Sequence, residues 1–157
     1  MTASAPNEIQ VKCQIKLQDR QLVIREQFRV AKARNNLIFG GARSGKTFLF
    51  TQAMVSRALA RVQSRHVILR LRTLHVRQSI WLDTLPRVLR TGWPGFKAIP
   101  HEQDGFMQFP NKTVPKEDWS ELWIAGLDDK ERVEKILGKE FCTAYFNECS
   151  QIPYASV

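Results

Sequence analysis

The chain has 157 residues, 43% hydrophobic and 25% charged, with 24 Lys and Arg against 15 Asp and Glu and a formal net charge of +9. That composition excludes wholesale disorder, and the length suits one domain. Cys13, Cys142 and Cys149 are scattered without CxxC spacing, the first ten residues lack a signal-peptide core, and no apolar run is long enough for a membrane span. A disulfide framework, a zinc site and a membrane role are therefore not expected, and a reducing cytosol is.

Charge is unevenly placed. Up to Pro115 there are 19 basic residues against 6 acidic ones, a net +13, and from Lys116 onward the balance is −4. The densest basic stretch holds Arg61, Arg65, Arg70, Arg72, Arg77, Arg87 and Arg90, opposed only by Asp83. Such a field attracts polyanions, although a solvated basic surface has the same composition.

In chain order, Ile9, Val11, Cys13, Ile15 and Leu17 alternate with polar residues and predict a half-buried strand or an extended lead-in. A short basic helix carrying Leu22, Ile24, Phe28 and Ala31 follows. Residues 36–39 (NLIF) form an apolar run ending at Gly40, the pattern of a buried strand. Helix formers without Pro or Gly fill Thr47 to Val62, and HVILRL (66–71) predicts a core strand. Thr73 is placed to cap a helix reaching about Arg90, with Leu74, Trp81, Leu82, Leu85, Val88 and Leu89 on one side and a kink or break expected near Leu85 because of Pro86. Residues 106–109 and 122–125 predict two strands joined by a polar loop. Asp128 and Glu131 have capping-box spacing ahead of a short helix that Gly138 closes, and residues 141–146 predict the last strand.

The strongest local signal is Gly40-Gly41-Ala42-Arg43-Ser44-Gly45-Lys46-Thr47, a full GxxxxGK[ST] match between an expected strand and an expected helix. The glycines let successive backbone N–H groups face one anion, and the helix N-terminus adds its positive end. Lys46 is the point charge for β- and γ-phosphates, and the Thr47 hydroxyl is the Mg²⁺ ligand. The motif predicts ATP or GTP binding. Arg43 either swings onto the γ-phosphate or fills a variable loop position.

Hydrolysis also needs a polarised water. The run 141–146 ends in Asn147-Glu148, where a Walker B strand has Asp-Glu. Glu148 is the candidate base that activates water. Asn147 occupies the position of the Mg²⁺-associated aspartate; it is neutral and hydrogen-bonds a metal-bound water without offsetting the metal's charge. His66, His75 and His101 show no ligand spacing, and Trp81, Trp93, Trp119 and Trp123 read as packing residues.

GGARSGKT, VILRLRTLHVRQSIW, LWIAGLDDKERVEKILGKEF and YFNECSQIPY, in that order, resemble the large terminase subunit of tailed bacteriophages from about Leu37 to Val157. The resemblance implies an α/β P-loop NTPase of the ASCE type, a mostly parallel sheet flanked by helices. It implies an ATP- and Mg²⁺-dependent motor that moves double-stranded DNA into a procapsid in the host cytoplasm. Its partners would be a small terminase subunit and the portal, and its working form a homo-oligomeric ring. By position, Lys46 and Thr47 match Walker A, Arg43 the Walker A arginine and Glu148 the catalytic glutamate. Gln21, with Gln18 as rival, matches the family's adenine-contacting glutamine. Asn147 departs from the usual aspartate. Relative to the family the sequence ends nine residues past Glu148, ahead of a further ATPase strand expected beside the Glu148 strand and ahead of the nuclease. It thus divides into a lead-in, 1–34, and a partial ATPase domain, 35–157, with the nuclease domain absent. Another P-loop ATPase or kinase, or a truncated remnant that binds nucleotide or DNA without catalysis, are the alternatives.

Overall fold

The computed structural model describes residues 13–30, 35–41, 43–128 and 130–152. In chain order they form α1 (Asp19–Val30), α2 (Lys46–Ala60), β1 (Arg65–Arg70), α3 (Thr73–Val76), a π-helical segment (Arg77–Thr84), α4 (Leu85–Gly92), β2 (Ile99–His101), β3 (Phe106–Phe109), β4 (Ser120–Gly126), α5 (Lys130–Leu137) and β5 (Thr143–Phe146). The sheet has five strands in the order β2-β3-β4-β1-β5. β4, β1 and β5 are parallel, and β2 and β3 extend the sheet antiparallel beyond β4.

The two central strands are buried on both faces, which their continuous apolar runs anticipate. Ile68, Leu122 and Ile124 point to one face, where Met54, Val55 and Ala58 of α2 meet Ile80, Trp81, Leu85 and Val88. Val67, Leu69, Trp123 and Ala125 point to the other, under Phe106, Ile136 and Phe141. Trp81, Trp93 and Trp123 are buried, and Trp119 donates its indole N–H to the Asn111 carbonyl (3.0 Å), so the tryptophans are packing residues as expected.

Four expectations need correction or refinement. Residues 36–39 are not a strand: the segment 35–41 has no regular structure, with Leu37 65% and Phe39 85% exposed. Among the described residues no strand pairs with it, and β5 ends the sheet. Pro86 does not break its helix. The helix runs on from the π segment into α4, and the change from π to α hydrogen bonding falls at Leu85, where the kink or break was expected. Among the described residues the Asp128 carboxylate accepts from the Thr73 backbone N–H (2.7 Å) and hydroxyl (2.8 Å), so the cap it forms is on α3. Residues 13–17 form no strand, although Cys13, Ile15 and Leu17 are half-buried between exposed Gln14 and Lys16, and the Gln14 N–H donates to the Gly92 carbonyl. Residues 9–12 of that alternation lie outside the described residues.

Gly126 explains how β4 reaches the start of α3. A Cβ built there overlaps the Thr73 backbone, so only glycine allows the approach that brings Asp128 to its cap position. No helix among the described residues is long and apolar enough to cross a membrane.

Candidate nucleotide site

The site lies where the carboxyl ends of the parallel strands meet the start of α2, the usual location for ligands in open α/β sheets. Gly45 precedes α2 with φ 78°, in the left-handed region. Gly40 and Gly41 do not take positive φ; the second left-handed residue of the loop is Arg43, at φ 60°. A non-glycine residue there is strained, and such strain concentrates at functional sites. Ala42 lies outside the described residues. Lys46 Nζ donates to the carbonyls of Gly40 and Gly41 (both 2.7 Å) and to Ser44 Oγ (2.9 Å), drawing the loop around the ammonium.

Gln21 of α1 is brought to this loop. Its Oε1 accepts from the Gln18 N–H at 3.0 Å. Its Nε2 would lie 2.6 Å from any Cβ added at Gly45. Gln21 therefore sits beside the phosphate loop, with Gln18 contributing a backbone bond.

The β1–β5 ladder continues one step past β5, through the Asn147 N–H to the Leu69 carbonyl (2.8 Å). Asn147 is 3% exposed. Its Oδ1 accepts from the Thr47 hydroxyl at 3.3 Å, across 100 residues of sequence, and from the Tyr145 hydroxyl at 2.8 Å. Burial pushes the Tyr145 phenol up to about 12, with the Thr47 hydroxyl beside it pulling the other way, so the phenol stays protonated.

Among the described residues no three His, Cys, Asp or Glu side chains gather as a metal-binding cluster. Thr47 Oγ1 is nevertheless a hard oxygen donor at the start of α2 and fits Mg²⁺ as a direct ligand. Asn147, whose Oδ1 already takes the Thr47 and Tyr145 protons, orients the Thr47 hydroxyl.

Glu148 follows at φ 56°, also in the left-handed region. Its carboxylate is 42% exposed and paired with Arg70. Arg70 in turn donates to Ser79 Oγ (3.0 Å), which donates to the His75 carbonyl (2.6 Å) one turn back along the helix. No motif had pointed to Arg70 or Tyr145. The signals were present: Arg70 ends the strand parallel to the one ending at Glu148, and Tyr145 lies two residues before Asn147, on the same strand face.

The arginine-rich stretch is not one surface. Arg65 pairs with Glu121, Arg70 with Glu148 and Arg77 with Glu102, and Arg87 lies over the Phe48 ring. Arg61, Arg72 and Arg90 are exposed, but Arg61 precedes β1 and Arg72 follows it, so the whole strand separates them.

A mostly parallel β-sheet with a glycine-rich GxxxxGKT loop entering α2 and an Asn-Glu strand end facing it gives the fold class of the P-loop NTPases. The family model described as terminase large subunit, T4likevirus-type, N-terminal, matches residues 37–156; the chain belongs to this family. In solved structures the fold resembles the large terminase of a thermophilic bacteriophage, at TM-score 0.70 and 18% identity, covering 90% of this chain and 34% of that one. The same phage protein in complex with ADP gives TM-score 0.68 and 17% identity, covering 89% of this chain and 34% of that one. The chain thus spans about a third of the length of these structures. No curated protein matches.

Proposed function

We propose that this chain carries the nucleotide site of a DNA-packaging terminase motor, binding ATP with Mg²⁺ and hydrolysing it to drive double-stranded DNA into a procapsid. The observation that carries this reading is the Thr47–Asn147 contact, which places the phosphate loop against the strand end bearing Glu148. Residues 35–157 would be the ATPase part of a longer enzyme, with the lead-in 1–34 supplying Gln21. Small terminase, portal and a ring of like subunits are the partners that family membership suggests.

In this reading the backbone N–H groups of residues 43–47 and the Lys46 ammonium hold the β- and γ-phosphates. Lys46 exchanges its loop acceptors for phosphate oxygens. Arg43 is exposed in the loop and meets charge developing on the γ-phosphate. Glu148 accepts the proton of the attacking water. Bound Mg²⁺ would supply charge neutralisation on the phosphates. Exposed Arg61, Arg72 and Arg90 are the described members of the basic stretch left to meet a DNA backbone, and such contacts weaken steeply with salt.

Glu148→Gln tests the assignment. ATP hydrolysis by the chain should fall by about 100-fold or more with ATP affinity retained; unchanged turnover would remove Glu148 from the role of base and favour phosphoryl transfer to another acceptor. The Glu148–Arg70 pair favours a second reading, nucleotide binding without turnover, because the carboxylate is engaged by a guanidinium. A chain that binds ATP but turns it over only after Arg70→Gln supports that second reading.

A further inference from the structure

Asn147 differs from an aspartate in one geometric respect. A carboxylate offers an oxygen whichever way it turns, whereas an amide offers an oxygen at one end and an NH₂ at the other. In a cation site only one of those orientations is useful, because the other points donor hydrogens where a cation or its water should lie.

The structure contains a device that selects the useful one. Thr143, Tyr145 and Asn147 share the face of β5 that turns toward α2, alternating with exposed Ala144 and Phe146. The Tyr145 ring is stacked on Phe50 of α2 (centroids 4.6 Å, 21°), and Phe50 meets Phe28 of α1 edge-on (5.3 Å, 68°). This ladder leaves the ring little freedom and fixes its hydroxyl 2.8 Å from Asn147 Oδ1. With the amide in this orientation both the Tyr145 and Thr47 hydroxyls donate to one oxygen. The Thr47 proton is then committed to Asn147, and the lone pairs of its oxygen remain for a cation. Turning the amide over takes away the acceptor that both protons use.

We infer that Tyr145 is a positioning residue of the nucleotide site: its phenol locks the Asn147 amide with Oδ1 toward Thr47, so that a neutral residue does the orienting work an aspartate does in either rotamer. The inference rests on the nucleotide-binding reading above. It concerns how this chain's own residues prepare for a divalent cation, and it assigns Tyr145 no contact with substrate.

The test is a double-mutant cycle on the full chain, read by calorimetric ADP binding with Mg²⁺ and with EDTA. The quantity compared is the gain in ADP affinity that Mg²⁺ confers. Tyr145→Phe keeps the ring stack, and a thermal melt checks that it keeps the fold. It should lower the Mg²⁺ gain by about 3–10-fold, the worth of one hydrogen bond, and leave ADP affinity in EDTA unchanged. On an Asn147→Asp background the same substitution should change the gain by less than about twofold. Equal losses on both backgrounds, or no loss on either, overturn the positioning role while leaving nucleotide binding intact. Failure of the unsubstituted chain to bind ADP under either condition overturns the nucleotide reading, and the role of Tyr145 with it.

Discussion

The β4–β1 pair and the β5 side of the same sheet are built in opposite ways. β1 and β4 pair over six residues each, from Arg65 with Glu121 to Arg70 with Gly126, and both faces of the pair are covered. β5 pairs over four residues and, among the described residues, has no strand beyond it. Besides β1, it is tied down by the Arg57–Thr143 bond (3.1 Å), the Phe50–Tyr145 stack and the Thr47–Asn147 bond. The difference separates stability from chemistry: apolar burial resides in the first region, and the phosphate loop, Asn147 and Glu148 in the second. Elements that must rearrange around a ligand are drawn from the less stable part of a fold.

That contrast is most sharply broken at Gly126. Gly126→Val drives side-chain atoms into the Thr73 backbone and should destabilise the chain by about 4 kcal/mol or more, seen as loss of a cooperative urea transition. Next is His66, buried at the start of β1 with Nε2 on Ser64 Oγ (3.1 Å). Burial, with the Arg57 charge adding to it, lowers its pKa from 6.5 to about 4. The unfolded chain therefore takes up this proton first as pH falls. Stability should decline between pH 6.5 and about 4, by up to about 3 kcal/mol, and urea melts of His66→Asn should lack that step.

Asp128→Ala removes the cap on Thr73 and should cost about 1 kcal/mol in the same melts. Burial opposes ionisation of Asp128, but hydrogen bonds from the Thr73 backbone and hydroxyl outweigh it and hold the carboxyl below its usual range. The cap's contribution is accordingly present above the usual carboxylate pKa and lost only in stronger acid, outside the window of His66. The smallest effect is expected on the other side: Phe39→Ser, at an 85% exposed position, should change stability by less than about 0.5 kcal/mol. A loss comparable to that of Gly126→Val would mean that the loop side bears part of the core.

The sequence announced the first region because its signals are local. HVILRL and LWIA are unbroken apolar runs, and such runs become strands buried on both faces. The phosphate loop and the Asn-Glu strand end were equally legible, since short-range chemistry dictates them. What escaped depends on distant residues. Residues 36–39 read as a buried strand, yet whether they become one is decided by the strand beside them. Asp128 read as the cap of its own helix because Glu131 stands three residues on, but Thr73 competes for it from 55 residues away. β2 escaped because Pro100 lies in its middle, and a proline is tolerated there only because β2 is an edge strand. Arg70 and Tyr145 came into the site through sheet register and strand alternation, which no motif encodes.

Amide hydrogen exchange with and without ADP and Mg²⁺ shows whether nucleotide binds on the loosely held side while the β4–β1 pair serves as scaffold. Exchange should slow most at residues 43–50 and 143–148, with the amides of 65–70 and 120–126 changed only by the overall gain in stability. Absence of added protection at 43–50, or protection that appears only in 65–70 and 120–126, would contradict that arrangement.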